Sequence, residues 1–305
     1  MWDLSLDKEL MNIIPEERFF RDESMYKHTT FRVGGPASRY VSVSTEEELV
    51  GLMKMCETHG VEPLFIGNGS NLLVSDNGLD GLVIELGHDM KDIAVSDEEV
   101  VASAGALLSM VASQAYKHEL TGLEFAAGIP GTIGGAMVMN AGAYGGEMKD
   151  VVKSVRVYNP STGQVENIAG EDMEFSYRHS IVREKKLVVL AVTLKLKRGN
   201  SDDIKNVMDE LAAKRRDKQP LEYPSAGSTF KRPEGFFAGK LIQDSGLMGY
   251  SVGGAQVSEK HAGFVVNKDS ATALDIYRLI REVQEQVYAD TGVRLEPEVI
   301  MLGQF

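Results

Sequence analysis

The stretch GIPGTIGGAMVMNAGAYGGE, residues 128–147, carries seven glycines, one proline and one asparagine, with no charged residue before Glu147. A run of this kind presents main-chain amides rather than side chains. Glycine lets the backbone form concave nests of N–H groups that hold phosphate oxygens without a lysine, and small residues let a flat ring system lie against the chain. The natural guest is a pyrophosphate with a ring attached; the competing reading is that these glycines serve only turns and tight packing. A second loop of the same character, GNGSNLL (67–73), lies between two short apolar segments. There Gly67 and Gly69 permit unusual dihedrals, and Asn68, Ser70 and Asn71 add hydrogen-bonding groups. Two such loops fit a long ligand with two ends. The familiar nucleotide motifs do not match: GNGSNL lacks the third glycine of GxGxxG, and GFFAGKL (235–241) has the wrong spacing for GxxxxGK[ST].

The chain around these loops has 305 residues, 43% of them apolar and 25% charged, which predicts two or three packed units. Its net charge of -13 argues against nucleic acid as a partner, since phosphate backbones are bound by clustered Lys and Arg. No apolar run approaches the roughly 18 to 20 residues of a membrane-spanning helix, and the acidic start MWDLSLDKELMNIIPEERFFRDE lacks the layout of a signal peptide. A cytoplasmic protein without membrane insertion is expected. Cys56 is the only cysteine, which excludes an intrachain disulfide and a thiolate-rich metal site; no metal is expected, and Leu52, Met53 and Met55 beside it predict a buried helix position.

Local patterns predict the elements. RYVSVS (39–44) alternates like a strand, and TEEELVGLMKMCETHG (45–60) reads as a helix with a capping box from Thr45 and Glu48 and a stop at Gly60. With PLFIGNGSNLLVSD (63–76) and GLVIEL (81–86) it makes a βαβ-like unit. IAVSDEEVVASA (93–104) predicts a hairpin, LLSMVASQAYKHEL (107–120) a helix, and SVRVYNP (154–160), QVENIA (164–169) and KLVVLAVTLKLK (186–197) strands. SDDIKNVMDELAAKRRDKQP (201–220) is a helix with Ser201 as N-cap and a basic last turn. In DIYRLIREVQEQVYADTG (275–292), Ile276, Leu279, Ile280, Val283 and Val287 recur at helical spacing, and VIML (299–302) is a terminal strand of the kind that docks back into an earlier sheet.

Taken together, FRVGGPA (31–37), IGNGSNLLVSD (66–76), the 128–147 stretch, SYRHS (176–180), SAGSTFKRP (225–233) and LEPEV (295–299) resemble, in order and spacing, the UDP-N-acetylenolpyruvoylglucosamine reductase (MurB) family, in its shorter second subtype. The resemblance runs from about residue 20 to the end. It implies an α+β chain with a vanillyl-alcohol-oxidase-type (PCMH-type) FAD-binding fold of two subdomains, 1–88 and 89–200, and a C-terminal α+β substrate-binding domain, 201–292, with strand 293–305 returning to the first subdomain. FAD would be held non-covalently by Arg32, Val33 and Gly34, by Gly67, Asn68, Gly69, Ser70, Asn71 and Leu72, and by Gly128, Pro130, Gly131, Thr132, Gly134, Gly135, Asn140 and Gly142. The implied activity is reduction of the enolpyruvyl group of UDP-N-acetylglucosamine enolpyruvate to UDP-N-acetylmuramate with NADPH as hydride donor. That is a step of peptidoglycan synthesis and hence of cell-wall biogenesis, cell shape and division.

This chemistry sets requirements. Hydride attack on the terminal carbon pushes negative charge onto the adjacent carbon and its carboxylate, so the site needs fixed positive charge and then a proton donor. Arg178 in SYRHS suits the first, because a guanidinium grips a carboxylate with two parallel bonds and keeps its proton. By the resemblance, Ser228 is the proton donor, with Ser225 as a nearby decoy. For the third member the sequence offers Glu296 and Glu298 on either side of Pro297; Glu298 matches the family position and is expected to assist protonation. Some relatives carry an arginine two positions later, where this chain has Ile300.

Tyr177, Arg215, Arg232 and His261 are the expected substrate contacts, with Arg216 and Lys231 adding to the local basic charge. Arg215 and Arg216 also fit a second reading, in which they only complement the helix C-terminus. A monomer is expected. Two other functions remain compatible with the loops: a different FAD-dependent oxidoreductase of the same fold, and a non-catalytic flavin- or nucleotide-binding regulator.

Overall fold

The computed structural model describes residues 4–87 and 90–305, so the expected boundary at 88 and 89 lies outside the described residues. Helix Glu46–His59 shows how local chemistry sets an element. Thr45 Oγ1 accepts the Glu48 N–H, and Gly60, at φ 62°, ends the helix. The expected capping box is only half formed: the Glu48 carboxylate accepts the Ser44 N–H at 2.9 Å and two Arg18 N–H groups at 2.8 and 2.5 Å instead of reaching back to Thr45. The guanidinium gives charge-assisted bonds and the Ser44 amide a third, which together occupy the carboxylate. Although partial burial works the other way, these bonds hold the Glu48 carboxyl below its ordinary range. Cys56 is buried at 1% exposure, and that burial, with the charge of Glu57, pushes its thiol up to about 12.

A four-stranded sheet runs in the order Phe19–Ser24, Pro36–Ser42, Leu79–Glu85, Leu64–Ile66, with the last two parallel. The helix therefore joins strands that are not neighbours: Leu79–Glu85, which the expected βαβ-like unit included as GLVIEL without giving its place in the order, is inserted between them.

The chain divides into two compact units. The first comprises the residues up to Phe20, Arg39–Asn68 and Gly81–Lys214. Its five-stranded antiparallel sheet has the order Gln164–Ala169, Val152–Asn159, Val188–Lys195, Glu99–Ser103, Ile93–Ser96. The predicted 93–104 hairpin turns at Asp97, which sits at φ 53°. Side chains alternate across a strand, and a register shift opposite Arg156 and Val157 changes the parity of Val188–Lys195, so this strand and Val152–Asn159 feed two cores. Val155, Val157, Val189 and Val192 join Leu108, Val111, Ile133 and Met137 on one face. Tyr158, Val188 and Leu190 join Leu49, Leu52 and Cys56 on the other. The glycine-rich stretch is thus mounted on a sheet packed on both sides. Helix Ser201–Lys218 starts one residue earlier in its capping than expected: Asn200 Oδ1, not Ser201, accepts the N–H groups of Asp202 and Asp203 at 2.9 and 3.1 Å. Asparagine at least equals serine at this position, and Asn200 is the residue placed to use it.

The second unit comprises Arg21–Ser38, Gly69–Asp80 and Arg215–Phe305. A three-stranded antiparallel sheet, Ser251–Val252, Ala255–Val257 and Val265–Asn267, packs with helix Ala273–Thr291. The five apolar positions predicted at helical spacing are all fully buried. Thr272 and Asp275 form a reciprocal capping box, and the Asp76 carboxylate accepts the N–H groups of Ala273 and Leu274 at 2.9 Å each. The terminal strand Ile300–Leu302 pairs in parallel with Leu72–Val74, next to the GNGSNLL loop. Among the described residues, no helix is long and apolar enough to cross a membrane.

Candidate active site

In the first unit the loop from Gly128 is stitched to its surroundings through the main chain. Leu108 N–H donates to Gly131 O, Ile133 N–H to Ala106 O and Gly134 N–H to Ala104 O, all within 3.0 Å. Thr132, almost fully buried, caps the short helix Ile133–Val138 by accepting the Gly135 N–H at 3.2 Å. Gly67 of the other loop approaches Thr132 so closely that a Cβ there would lie 2.4 Å from its Oγ1, and Asn68 Nδ2 donates to Pro130 O at 2.5 Å. The Gly67–Asn68 end of the second glycine-bearing loop is therefore joined to the first. The stretch then closes as a tight hairpin, Gly142–Ala143 with Gly146–Glu147, whose turn residues Tyr144 and Gly145 both have positive φ, as a type I′ turn requires.

Asn140 links this hairpin to the SYRHS segment. Fully buried at φ 45°, it donates from Nδ2 to Glu147 Oε2 at 2.7 Å and Ser176 O at 3.2 Å, while its Oδ1 accepts the Lys149 N–H at 2.9 Å. SYRHS itself is a tight turn in which Ser176 and His179 exchange both main-chain bonds. Tyr177 and Arg178 occupy its tip; Tyr177 is half exposed, and Arg178 is held at φ 56° with its guanidinium 5.1 Å from the Tyr177 ring centre. Glu147 faces this charge: its Lys149 hydrogen bond, then Asn140 and the charges of Lys149 and Arg178, lower its carboxyl despite some burial. Glu147 was read from the sequence only as the end of the neutral stretch. Its signal was there, as the first charge after 22 uncharged residues, 125–146. At the foot of the turn, ligand-type atoms of Glu174, His179 and Glu184 lie within 4.8 Å of one another, with His179 and Glu184 3.6 Å apart.

In the second unit, Thr29 Oγ1 donates to Val33 O at 2.9 Å and fixes a turn that sets Arg32 at φ 54° with an exposed side chain. Gly69, at φ 57°, packs so tightly that a Cβ would stand 1.9 Å from His28 O, and Gly34, at φ 122°, would bring one to 3.0 Å from Val74. Thr30 N–H donates to Gly69 O, yet the Thr30 hydroxyl is buried without a hydrogen-bond partner among the described residues. A buried hydroxyl left unpaired is costly. Asn71 Nδ2 donates to Glu298 O at 3.0 Å, and its own main-chain O accepts the Ile300 N–H.

The same unit brings Ser228 and Glu298 onto one ladder. Thr229, fully buried, donates its N–H to Gly263 O, accepts the Glu298 N–H, and takes the Val265 N–H on Oγ1, each at 2.8 Å. Phe230 and Pro297 bridge in antiparallel register, and Lys231 N–H donates to Glu296 O. Ser228 follows Gly227, at φ 75°, and its side chain is exposed next to this fully fastened threonine. Ser225 instead pairs with Val266. The two candidate glutamates differ in surroundings: Glu296 is 70% exposed and 2.6 Å from Lys231 Nζ, whereas Glu298 is half-buried.

Of the basic residues, Arg215 is half-buried in the last turn of its helix, Arg216 has its carbonyl bonded by Lys260 Nζ at 2.6 Å, and Arg232 lies over the Phe237 ring. His261 Nδ1 accepts the Gly263 N–H at 3.1 Å, so the neutral ring carries its proton on Nε2. Burial, aided by the charge of Lys218, lowers its pKa from 6.5. Below 6.5 the unfolded chain then binds a proton that the folded chain resists, so this group withdraws stability as the pH falls through that value toward the folded pKa. His261→Gln is expected to flatten the decline in stability below about pH 6.5, measured as urea midpoints on both sides of it. An unchanged pH profile would show that His261 does not titrate as the burial requires.

Comparison with known proteins places this geometry. Residues 219–302 match the model of the UDP-N-acetylenolpyruvoylglucosamine reductase C-terminal domain, and residues 37–169 match an FAD binding domain. The UDP-N-acetylenolpyruvoylglucosamine reductase of Clostridioides difficile (strain 630) is 51% identical over 97% of both chains. That of Caldanaerobacter subterraneus subsp. tengcongensis is 47% identical over the full length of both. The crystal structure of the reductase from Thermus caldophilus superposes with a TM-score of 0.80 at 36% identity, covering 92% of this chain and 97% of that one. Phl p 4.0202, a glucose dehydrogenase, shares the fold alone, at 14% identity and a TM-score of 0.50 over 65% of this chain and 44% of its own. The fold is the PCMH-type FAD-binding fold with a C-terminal α+β domain, and the chain belongs to the UDP-N-acetylenolpyruvoylglucosamine reductase family.

Proposed function

We propose that the chain reduces UDP-N-acetylglucosamine enolpyruvate to UDP-N-acetylmuramate at the expense of NADPH, as a cytoplasmic monomer. Segments 1–88 and 89–200 hold FAD in this reading, and 201–292 holds the nucleotide sugar. The observation that carries it is the Ser228 ladder: an exposed serine beside a threonine locked on three sides, with Glu298 on the facing segment. Exposed Arg32 and the joined glycine loops fit a dinucleotide cofactor. When bound, FAD supplies the two-electron chemistry that connects the nicotinamide to the enol ether.

The chain's residues then manage charge and proton. Arg178 holds the substrate carboxylate and stabilises the negative charge that spreads into it as the double bond is lost. Ser228 Oγ delivers its proton to the carbon bearing the ether oxygen and is reprotonated from solvent. Rigid backing matters here, because a weak acid works only when it stands at the reacting carbon. Glu298, its carbonyl fixed by Asn71, assists that protonation. Asn140 braces the Arg178 turn through Ser176. His261 offers Nε2–H as a neutral donor, and Arg215 and Arg232 meet the diphosphate. Anaerobic stopped-flow mixing of NADPH-reduced protein with the enol ether is expected to reoxidise the flavin far faster than mixing with buffer. Equal rates would overturn the proposal.

A further inference from the structure

Phe236 and Phe237 precede helix Ala238–Asp244 and are 46% and 62% exposed. Single exposed apolar residues need no explanation, but Phe237 is not left loose. The Arg232 guanidinium lies over its ring, 4.0 Å from the centre, and Arg232 Nε donates to Phe236 O at 3.3 Å, so the cation is tethered to the backbone beside the ring it covers. The turn beneath is closed by Phe236 N–H on Pro233 O. A large aromatic surface is thereby held in one orientation before any ligand arrives, which cuts the entropy cost of using it.

Its position ties it to the Ser228 ladder within the same unit. A Cβ on Gly239, two residues past Phe237, would lie 3.3 Å from Gly263 N and 3.5 Å from His261 Cε1, and Gly263 O accepts the Thr229 N–H. Along the chain, Ser228 and Arg232 are four residues apart without helix, a reach of at most about 14 Å. That limit does not exceed the length of an extended nucleoside diphosphate sugar, so one such ligand can reach both. Arg232 supplies positive charge on the way in a chain of net charge -13, whereas Lys231 is paired with Glu296.

Resting on the reading of the substrate as a UDP-sugar, we propose that Phe237, braced by Arg232, is the stacking platform for its uracil base. Flat rings stack on aromatic side chains without needing hydrogen-bond readout. Phe237 would thus supply affinity for the nucleotide at a distance from the reacting carbon, as uniform binding that lowers KM.

The test compares the protein with Phe237→Ala and Phe237→Trp variants on two substrates: the UDP-linked enol ether and the corresponding sugar 1-phosphate without the uridylyl group. UDP binding is measured by calorimetry on the same FAD-loaded proteins. Phe237→Ala is expected to raise KM for the UDP-linked substrate and weaken UDP binding by about tenfold each, the scale of one lost stacking ring. The loss lies in KM rather than kcat, the truncated substrate shows no such loss, and Phe237→Trp restores binding. Equal losses on both substrates, unaltered UDP affinity, or a loss confined to the KM of NADPH would overturn the assignment. Failure of the wild-type protein to turn over the enol ether would sink the proposed activity, while UDP calorimetry still decides the platform.

Discussion

Ser228→Ala leaves flavin reduction by NADPH at its normal rate and slows reoxidation by the enol ether by about a thousandfold, within the range that a positioned general acid contributes. The expectation follows from where the hydroxyl stands and what surrounds it. Thr229 carries the structural duty at this point, with its N–H, C=O and hydroxyl all engaged, whereas the Ser228 side chain is exposed. Removing Oγ therefore takes away one proton donor and little else. Folding, FAD content and thermal stability should stay near those of the parent. Two controls separate chemistry from local disturbance. Ser225→Ala, on the neighbouring bridge to Val266, should reoxidise at close to the parental rate. Reduction by NADPH should be unaffected in both variants, because it precedes protonation of the substrate carbon. Rapid reoxidation of Ser228→Ala would move the proton donor to another group, with Glu298 the first to test.

Much of this arrangement was legible locally. The stop at Gly60, the five buried positions of helix Ala273–Thr291 and the 93–104 hairpin each follow from a pattern within one element. The joined glycine loops were legible as backbone-rich segments. Their union was not, because the close approach of Gly67 to Thr132 spans two remote parts of the chain. The same limit explains the departures. Glu48 has a plausible partner three residues back, but Arg18 and Ser44 take its carboxylate. Asn200 and Ser201 are adjacent cap-type residues, and only geometry decides that Asn200 does the capping. Strand order is a tertiary choice, so the insertion of Leu79–Glu85 beside Leu64–Ile66 left no local trace.

Side chains that work through others are the hardest to read. Asn71 and Asn140 sit in loops that look made for a ligand, yet their amides hold protein carbonyls: Asn71 that of Glu298, Asn140 that of Ser176. A loop asparagine can bind a guest or position the residue that does, and composition does not distinguish them. Here both asparagines reach toward segments that carry proposed catalytic residues.

The second large effect concerns Arg178. Arg178→Ala should lower kcat for the enol ether by about a hundredfold to a thousandfold, the usual loss on deleting one donor to a developing anion, while reduction by NADPH persists. Arg178→Lys should recover only part of this, since an ammonium cannot grip a carboxylate with two parallel bonds. Arg178→Gly carries a further consequence. The arginine is at φ 56°, between Ser176 and His179 in a turn that any larger residue closes at a cost. A left-handed conformation disfavours non-glycine residues by roughly 1–2 kcal/mol. Glycine removes that strain but is also more flexible when unfolded, so the net gain in folding stability should be about 0.5–1 kcal/mol. The glycine variant should then be the more stable protein and, like the alanine variant, the poorer enzyme. Urea denaturation alongside single-turnover reoxidation tests both halves. A glycine variant no more stable than Arg178→Ala would show that the turn holds no strain, and one with parental kcat would remove Arg178 from the chemistry. Should both halves hold, the strained turn is retained because it presents a guanidinium at its tip, an instance of backbone strain kept where function needs it.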